Sequence, residues 1–143
     1  MNAYLDTSAL LRACRLNLAP QGVTRTHSLF EFYCVLTGPG IVTMIDGRQV
    51  KQTTPPKEAA RAARETFARV RFFDLEFPQA LDELERAAKK NIHGKNIHDW
   101  MHCAAAARAK CRSIVTLNFS DFSRMTDLPL VNPSKQFSGE SAA

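Results

Sequence analysis

The sequence contains no apolar run that approaches the ~20 residues needed to span a bilayer. Its first segment, residues 1–11, lacks the basic region and cleavage site of a secretory signal. The four cysteines show no C-x-x-C or zinc-like spacing, and we expect each to be a small buried residue with a free thiol: Cys14, Cys34, Cys103 and Cys111. These absences predict a cytoplasmic protein that has no membrane partner.

Motifs of several common enzyme classes are also missing. The chain has neither a P-loop nor a G-x-G-x-x-G turn. Ser8 and Ser28 lack the context of a nucleophile elbow, which argues against a Ser-His-Asp hydrolase. His98 and His102 are four residues apart, but no third Cys or His lies nearby, so a structural or solvent-facing role is favoured over a transition-metal site.

Size and composition are those of one globular domain. The chain has 143 residues, of which 45% are hydrophobic and 23% charged. Its 19 basic and 14 acidic residues give a net charge of +5. This charge favours polyanionic partners without identifying one.

Strand and helix signals alternate along the chain. Apolar strands are predicted at 2–5, 70–75, 113–117 and 130–131, and helices at 7–14, 28–37, 57–69, 77–89 and 96–111. The segment 41–50 is ambiguous, although Asp46-Gly47 favours a hairpin turn. The alternation predicts a three-layer α/β/α fold with a central, mostly parallel sheet of about four to five strands. The domain is expected to span 1–133, followed by a flexible tail at 134–143.

Four acids stand in otherwise uncharged surroundings. Asp6 is the only charge in residues 1–11, Glu31 the only one in 28–38 and Asp121 the only one in 113–123, while Asp99 opens an alanine-rich stretch. A carboxylate removed from water costs several kcal/mol unless it is compensated. A shared divalent cation would compensate all four.

The predicted elements place these acids where a common site is plausible. Asp6 follows the first strand, and Asn118 and Asp121 follow the strand at 113–117. The carboxyl ends of parallel strands are where α/β proteins form their sites. Glu31 and Asp99 fall in the first turns of predicted helices. Oxygen ligands of this kind suit Mg²⁺ or Mn²⁺.

Each acid also has a plainer interpretation. Ser28-x-x-Glu31 fits a capping box, and Asn96-x-x-Asp99 resembles one. Asp6 could cap the helix that follows it. A separate acidic group, Asp82, Glu83 and Glu85, is interpreted as the solvated face of the helix at 77–89, with i,i+4 pairs such as Asp82 with Arg86.

The motifs together resemble a known family. Tyr-Leu-Asp6-Thr-Ser, Ser-Leu-Phe-Glu31, Ile-His-Asp99 and Ile-Val-Thr-Leu-Asn118-Phe-Ser-Asp121-Phe resemble a PIN domain, and more closely the VapC-type toxins of type II toxin–antitoxin pairs. The resemblance spans residues 2–133 and implies a PIN-like fold, an Mg²⁺- or Mn²⁺-binding acidic pocket and endonucleolytic cleavage of RNA. It also implies a homodimer held inactive by a cognate antitoxin protein.

The resemblance assigns roles to the acids. Asp6, Glu31 and Asp99 match the family's three core acids, and the fourth place falls on Asn118 or Asp121; many members carry Asp where this chain has Asn118. We predict Asp6 and Asp99 as the principal ligands and Glu31 as a ligand or as the residue that orients the water. Asp121 would hold a second ion or its waters.

Neighbouring residues complete the predicted pocket. Ser8 is expected to donate to Asp6, while Thr116 and Asn118 would position the pocket. Candidate phosphate contacts, which fit an ordinary solvated face equally well, are Arg61, Arg64, Arg69, Arg71 and Lys95.

Two other functions compete with the ribonuclease. A catalytically inactive PIN-like module could bind RNA or serve in assembly. A flavodoxin-like receiver also uses acids at strand ends, but that class has two adjacent acids after its first strand, where this chain has only Asp6.

Overall fold

Strands and helices alternate along residues 2–139, the part of the chain that the computed structural model describes. The strands are β1 (Ala3–Leu5), β2 (Gly22–Thr24), β3 (Ile41–Ile45), β4 (Arg48–Gln52), β5 (Val70–Phe72), β6 (Ser113–Val115) and β7 (Leu130–Val131). The helices are α1 (Thr7–Arg15), α2 (Thr26–Thr37), α3 (Pro56–Thr66), α4 (Phe77–Lys89), α5 (Asn96–Arg108), α6 (Phe119–Phe122) and α7 (Pro133–Gln136). None of these helices combines the length and apolar character needed to cross a membrane.

The central sheet has five strands in the order β5-β2-β1-β6-β7, and every pairing is parallel. The central strands β1 and β6 are buried almost throughout, as in parallel sheets covered by helices, whereas the edge strand β5 is exposed at Arg71 and Phe72. Leu5 packs with α1, α2 and α3, whereas the adjacent Tyr4 packs on the opposite face with α5 and Phe122. This is the predicted three-layer α/β/α fold.

The chain leaves β1 and β6 toward opposite layers. α1, which follows β1, contributes Ala9 and Leu10 to one core, and Phe122 of α6, which follows β6, belongs to the other. Neighbouring parallel strands whose connections diverge in this way leave a crevice at their carboxyl ends. Asp6 and Thr116 are the first residues after these two strands, so both stand at the crevice.

β2 is an element that the sequence did not predict. Pro20 and Gly22 are residues that break helices, yet Gly22 begins a strand between β1 and β5. A Cβ at Gly22 would lie 2.8 Å from the Leu5 side chain and 2.9 Å from the Ala3 carbonyl oxygen. The glycine therefore permits the close approach of β2 to β1.

The ambiguous segment after α2 forms an antiparallel hairpin of β3 and β4, separate from the main sheet. Asp46 and Gly47 have φ angles of 51° and 77°, so both occupy the left-handed region. Two positive φ values in a two-residue loop define the type I′ turn that favours such sequences. The predicted turn is confirmed.

Two helix boundaries differ from the sequence prediction. α2 begins at Thr26, so Ser28 lies inside the helix and accepts a 2.8 Å hydrogen bond from Thr24 Oγ1; the predicted Ser28–Glu31 capping box is wrong. α3 ends at Thr66, so Arg69 follows the helix and Arg71 lies on β5. A tertiary contact outweighs the local capping signal at Ser28.

The prediction that the acids of α4 form a solvated face is correct only in part. Asp82 and Glu85 are exposed, but Glu83 is buried and its Oε2 receives a 2.9 Å contact from Arg108 Nε. The expected pair of Asp82 with Arg86 is not formed among residues 2–139. α4 packs against α5 through Glu83, because Arg108 compensates its charge.

The cysteines are all free, as expected, but they are not all buried. Cys103 and Cys111 are buried, Cys14 is half-buried and Cys34 is exposed. Cys34 lies on the outer side of α2. Its position between apolar residues in the sequence suggested burial, and that expectation is wrong.

The folded domain continues beyond residue 133. Asn132 caps α7 by accepting a 2.8 Å hydrogen bond from the Ser134 amide, and Phe137 is 5% exposed in the core beside α1. The expectation of a flexible tail is therefore wrong for 134–139, because one aromatic side chain anchors that segment. Residues 140–143 lie outside the described residues.

Replacing Phe137 with alanine should lower the free energy of unfolding by about 3 kcal/mol, because it leaves a cavity in the core. Phe30→Ala is the matched control: Phe30 is 64% exposed, and its loss should cost less than about 0.5 kcal/mol. Urea denaturation measures both changes. Equal stability of the two variants would contradict the anchoring role of Phe137.

Candidate active site

Asp6 occupies the centre of the crevice and is held by three donors. Its Oδ1 accepts from Ser8 Oγ at 2.7 Å and from the Ala9 amide at 2.9 Å, and its Oδ2 accepts from Thr116 Oγ1 at 2.6 Å. Asp6 thus caps α1, and burial raises its pKa while these hydrogen bonds oppose the rise. Because a carboxylate offers about four acceptor positions, one of them is unfilled.

The two hydroxyls that hold Asp6 also join β1 to the segment after β6. Ser8 Oγ accepts from the Leu117 amide at 3.0 Å, and Thr116 Oγ1 accepts from the Asn118 amide at 2.9 Å. Asn118 begins α6 and is exposed, and its side chain does not cap that helix. The backbone turn after β6 is therefore fixed on Asp6.

Glu31 reaches the site from the middle of α2. Its Oε1 accepts from Thr7 Oγ1 at 2.9 Å and lies 3.5 Å from His27 Nε2 and 3.4 Å from His102 Nε2. Partial burial opposes ionisation, but hydrogen bonds from His102 and Thr7 and the charges of both histidines outweigh it and lower the pKa of Glu31 to about 2. All three contacts use Oε1, so Oε2 carries none of them.

His102 was expected to have a structural or solvent-facing role, and the structure buries it at the site. Tyr4 Oη and His102 Nδ1 form a hydrogen bond of 2.7 Å, and His102 Nε2 on the other side of the ring lies 3.4 Å from Glu31 Oε1. His27 stacks on His98 with ring centroids 5.0 Å apart. The i,i+4 spacing of His27 and Glu31 was a signal in the sequence for this contact, and sequence analysis missed it.

Asp99 differs from the other acids because it has no compensating partner. It lies half-buried in the first turn of α5 and accepts no hydrogen bond or ion pair from residues 2–139. Burial raises the pKa of Asp99; His102 opposes this, and Asp121, Asp6 and Glu31 raise it further. The structure therefore places Asp99 close enough to the other three predicted acids for their negative charges to raise its pKa.

Asp121 is the most solvated of the four. Its side chain is 46% exposed and pairs with Arg124 Nη2 at 3.2 Å, one turn along the chain. Surface pairs of this kind contribute little stability, so the contact is easily exchanged for another.

The donor set fits a hard divalent cation in part. Within residues 2–139, no three acidic, histidine or cysteine side chains form a complete metal-binding group. Mg²⁺, however, is commonly held by one or two carboxylates together with water and substrate phosphates. Asp6 and Asp99, each with unused acceptor capacity, suit that mode of binding.

The predicted RNA contacts are dispersed. Arg61 and Arg64 are exposed on α3, and Arg64 lies in its last turn, which leads toward the amino-terminal end of β5. That end of the sheet is opposite the crevice. Lys95 immediately precedes α5, the helix of Asp99, and is exposed. Of the three, only Lys95 is on an element of the site.

Comparison with known proteins adds information about the fold. No family model and no curated protein matches the sequence. The chain is similar to the 2.2 Å resolution structure of VapBC-1 from nontypeable Haemophilus influenzae, with a TM-score of 0.59 and 17% identity over 94% of this chain and 99% of that chain. At this identity the likeness shows the fold alone. The chain has a VapC-like, PIN-type fold.

Replacing Asp99 with asparagine should raise the melting temperature in EDTA, because the change removes a half-buried charge that has no partner. Asp6→Asn should instead destabilise the protein by about 1–3 kcal/mol. The side-chain NH₂ group of the asparagine would point at a hydrogen-bond donor in place of the carboxylate oxygen that now accepts from it. Thermal unfolding monitored by circular dichroism distinguishes the two. A lower melting temperature for Asp99→Asn would show that Asp99 has a partner.

Proposed function

We propose that this chain is a divalent-metal-dependent endoribonuclease of the VapC type. The proposal depends chiefly on one observation about three carboxylates at the crevice, those of Asp6, Glu31 and Asp99. Each keeps an unfilled acceptor position, and the negative charges of Asp6 and Glu31 act on Asp99. Such a group is unfavourable by itself and is stabilised by a cation. The fold and the basic net charge of +5 agree with a polyanionic substrate.

Asp6 and Asp99 would hold the ion, Mg²⁺ or Mn²⁺, and Asp121 would bind a second ion or its waters. A bound ion of this class lowers the pKa of a water molecule and stabilises charge on the leaving oxygen of a phosphodiester. The hydroxyls of Ser8 and Thr116 fix the Asp6 carboxylate before any substrate arrives.

Glu31 is suited to orient the attacking water. Its low pKa keeps it ionised at neutral pH, and Oε2 is left to accept a proton-bearing ligand. Tyr4 and His102 form a hydrogen-bonded chain behind it that fixes its position. Asn118, at the start of α6, would contact the substrate or a metal-bound water from the β6 side.

Asp99→Asn should lower Mg²⁺-dependent cleavage of single-stranded RNA by about 100-fold or more, since loss even of an outer partner of a metal ligand costs 10–100-fold. This variant is the sharpest test because it should not weaken the fold. Asp82→Asn, an exposed acid on α4, is the control and should retain full activity. Cleavage is measured with Mg²⁺ and with EDTA.

A second measurement follows metal uptake without catalysis. Mg²⁺ should raise the melting temperature of the wild type and leave that of Asp99→Asn nearly unchanged, because only a ligand that binds the folded state stabilises it. Metal-independent cleavage, or equal Mg²⁺ stabilisation of both proteins, would reject the assignment. RNA binding without cleavage would favour the inactive PIN-like module.

We also propose that the chain is the toxin of a toxin–antitoxin pair, acting as a homodimer with an antitoxin protein as partner. The support is the VapC-like fold it shares with VapBC-1. Expression in a bacterial host should arrest growth, and Asp99→Asn should relieve the arrest at equal protein level. Normal growth with the wild-type protein, or arrest by the variant, would contradict the toxin role.

A further inference from the structure

A cavity with a different chemistry lies beside the acidic site. It encloses about 550 Å³ between α4, α5 and the segment after α6. Its wall includes Trp100, Arg86, Lys90 and Arg124. A volume of this size is within the range of small-ligand sites.

Its basic side chains are available to a ligand. Arg86 and Lys90 are exposed and form no ion pair with residues 2–139. The acid in the wall, Glu83, is occupied: its two oxygens receive Arg108 Nε at 2.9 Å and Trp100 Nε1 at 3.3 Å. Asp127 also lines the cavity, and Arg124 pairs with Asp121, so Arg86 and Lys90 are the basic side chains of the wall that remain for a ligand among the described residues.

Trp100 is held in place by this arrangement. Glu83 is 4% exposed and fixed by Arg108, so the hydrogen bond from the indole to Glu83 sets the orientation of the ring. Trp100 is half-buried and contributes to the cavity wall. Aromatic rings fixed beside basic side chains are the usual platform for nucleic-acid bases in single strands.

The cavity and the acids adjoin one another. Arg124 lines the cavity and contacts Asp121 at 3.2 Å. Trp100 follows Asp99 directly in α5. Cys103, also in the wall, has its pKa raised to about 12 by burial and by the charges of Asp99 and Asp6, so it is within their field. The cavity therefore adjoins the acids through α5 and through the contact of Arg124 with Asp121.

We propose that the cavity binds a nucleotide of single-stranded RNA that flanks the scissile phosphate, with its base against Trp100 and phosphate oxygens against Arg86 and Lys90. This inference rests on the proposed ribonuclease function and names a part of its substrate site. An acidic peptide is the competing ligand. The fixed indole favours the nucleotide, because a base can stack on the ring, whereas the carboxylates of an acidic peptide would contact only the basic side chains.

Tryptophan fluorescence tests occupancy directly, since Trp100 is the single tryptophan of the chain. A single-stranded RNA oligonucleotide, which stays intact because EDTA removes the metal that cleavage needs, should quench its emission saturably. Poly-aspartate of the same charge should leave the emission unchanged. Quenching by poly-aspartate but not by RNA would overturn the proposal in favour of a peptide.

Charge variants test the phosphate contacts. Arg86→Gln with Lys90→Gln should weaken oligonucleotide binding at least tenfold by fluorescence anisotropy and reduce the salt slope by about 1.4, or 0.7 for each single-strand phosphate contact. The matched control is Lys57→Gln with Lys89→Gln, two exposed lysines outside the cavity that remove the same charge. Equal weakening in both double variants would overturn the proposal.

A third variant tests the ring. Trp100→Leu should weaken anisotropy-detected binding about tenfold, and Trp100→Phe, which keeps an aromatic face, should recover most of the loss. Equal oligonucleotide binding by Trp100→Leu and Trp100→Phe would overturn the stacking contact. Circular dichroism verifies that both variants fold.

The same experiments separate this proposal from the function on which it rests. If the wild type cleaves RNA with Mg²⁺ but the Arg86 and Lys90 variant binds normally, the cavity proposal alone fails. If binding in EDTA depends on the cavity residues but Mg²⁺ elicits no cleavage, the ribonuclease proposal fails and the cavity proposal stands.

Discussion

The contact between Thr116 and Asp6 is the constraint on which the site depends. Thr116 Oγ1 lies 2.6 Å from Asp6 Oδ2 across the point where the chain leaves β1 and β6 for opposite layers. A carboxylate that is 3% exposed is tolerated there only because each of its donors comes from an adjoining element. The interaction therefore joins the two halves of the sheet and fixes one carboxylate at the crevice. The other acids are arranged around it.

Glu31 and Asp99 show how one crevice gives two acids different properties. Glu31 has three contacts on one oxygen and a lowered pKa, whereas Asp99 has no hydrogen-bond or ion-pair partner within residues 2–139 and a raised pKa. Carboxylates whose environments shift their pKa values in opposite directions are typical of sites that divide chemical tasks. Here the compensated acid, Glu31, stays ionised as a hydrogen-bond acceptor, and the uncompensated acid, Asp99, is the one that a cation would stabilise. His27 and His102 contact Glu31 directly, whereas His102 only opposes the rise in the pKa of Asp99.

The sequence predicted the layers and the acids because both depend on local patterns. Apolar strands ending at Asp6 and before Asn118 specify a sheet edge without any tertiary information. The failures are of another kind. β2 begins with a glycine and has one apolar residue, Val23, so it lacks the apolar run that marks β1 and β6, and it is formed because Gly22 fits beside Leu5. Glu83 and His102 are polar residues buried by partners 25 and 98 positions away in the sequence, Arg108 and Tyr4. No local pattern predicts such pairings.

α5 connects the acidic crevice to the cavity through its geometry. Consecutive residues on an α-helix are about 100° apart, so Asp99 and Trp100 face different directions from nearly the same height. The helix approaches the sheet closely because its inward positions include Ala105 and Ala106, both fully buried. Small side chains there leave the first turn, with its acid and indole, close to the strand ends. A rigid helix against the sheet can thus hold the Asp99 carboxylate, which we propose binds a cation, and the Trp100 indole, which we propose stacks on a base, in fixed register without a loop between them.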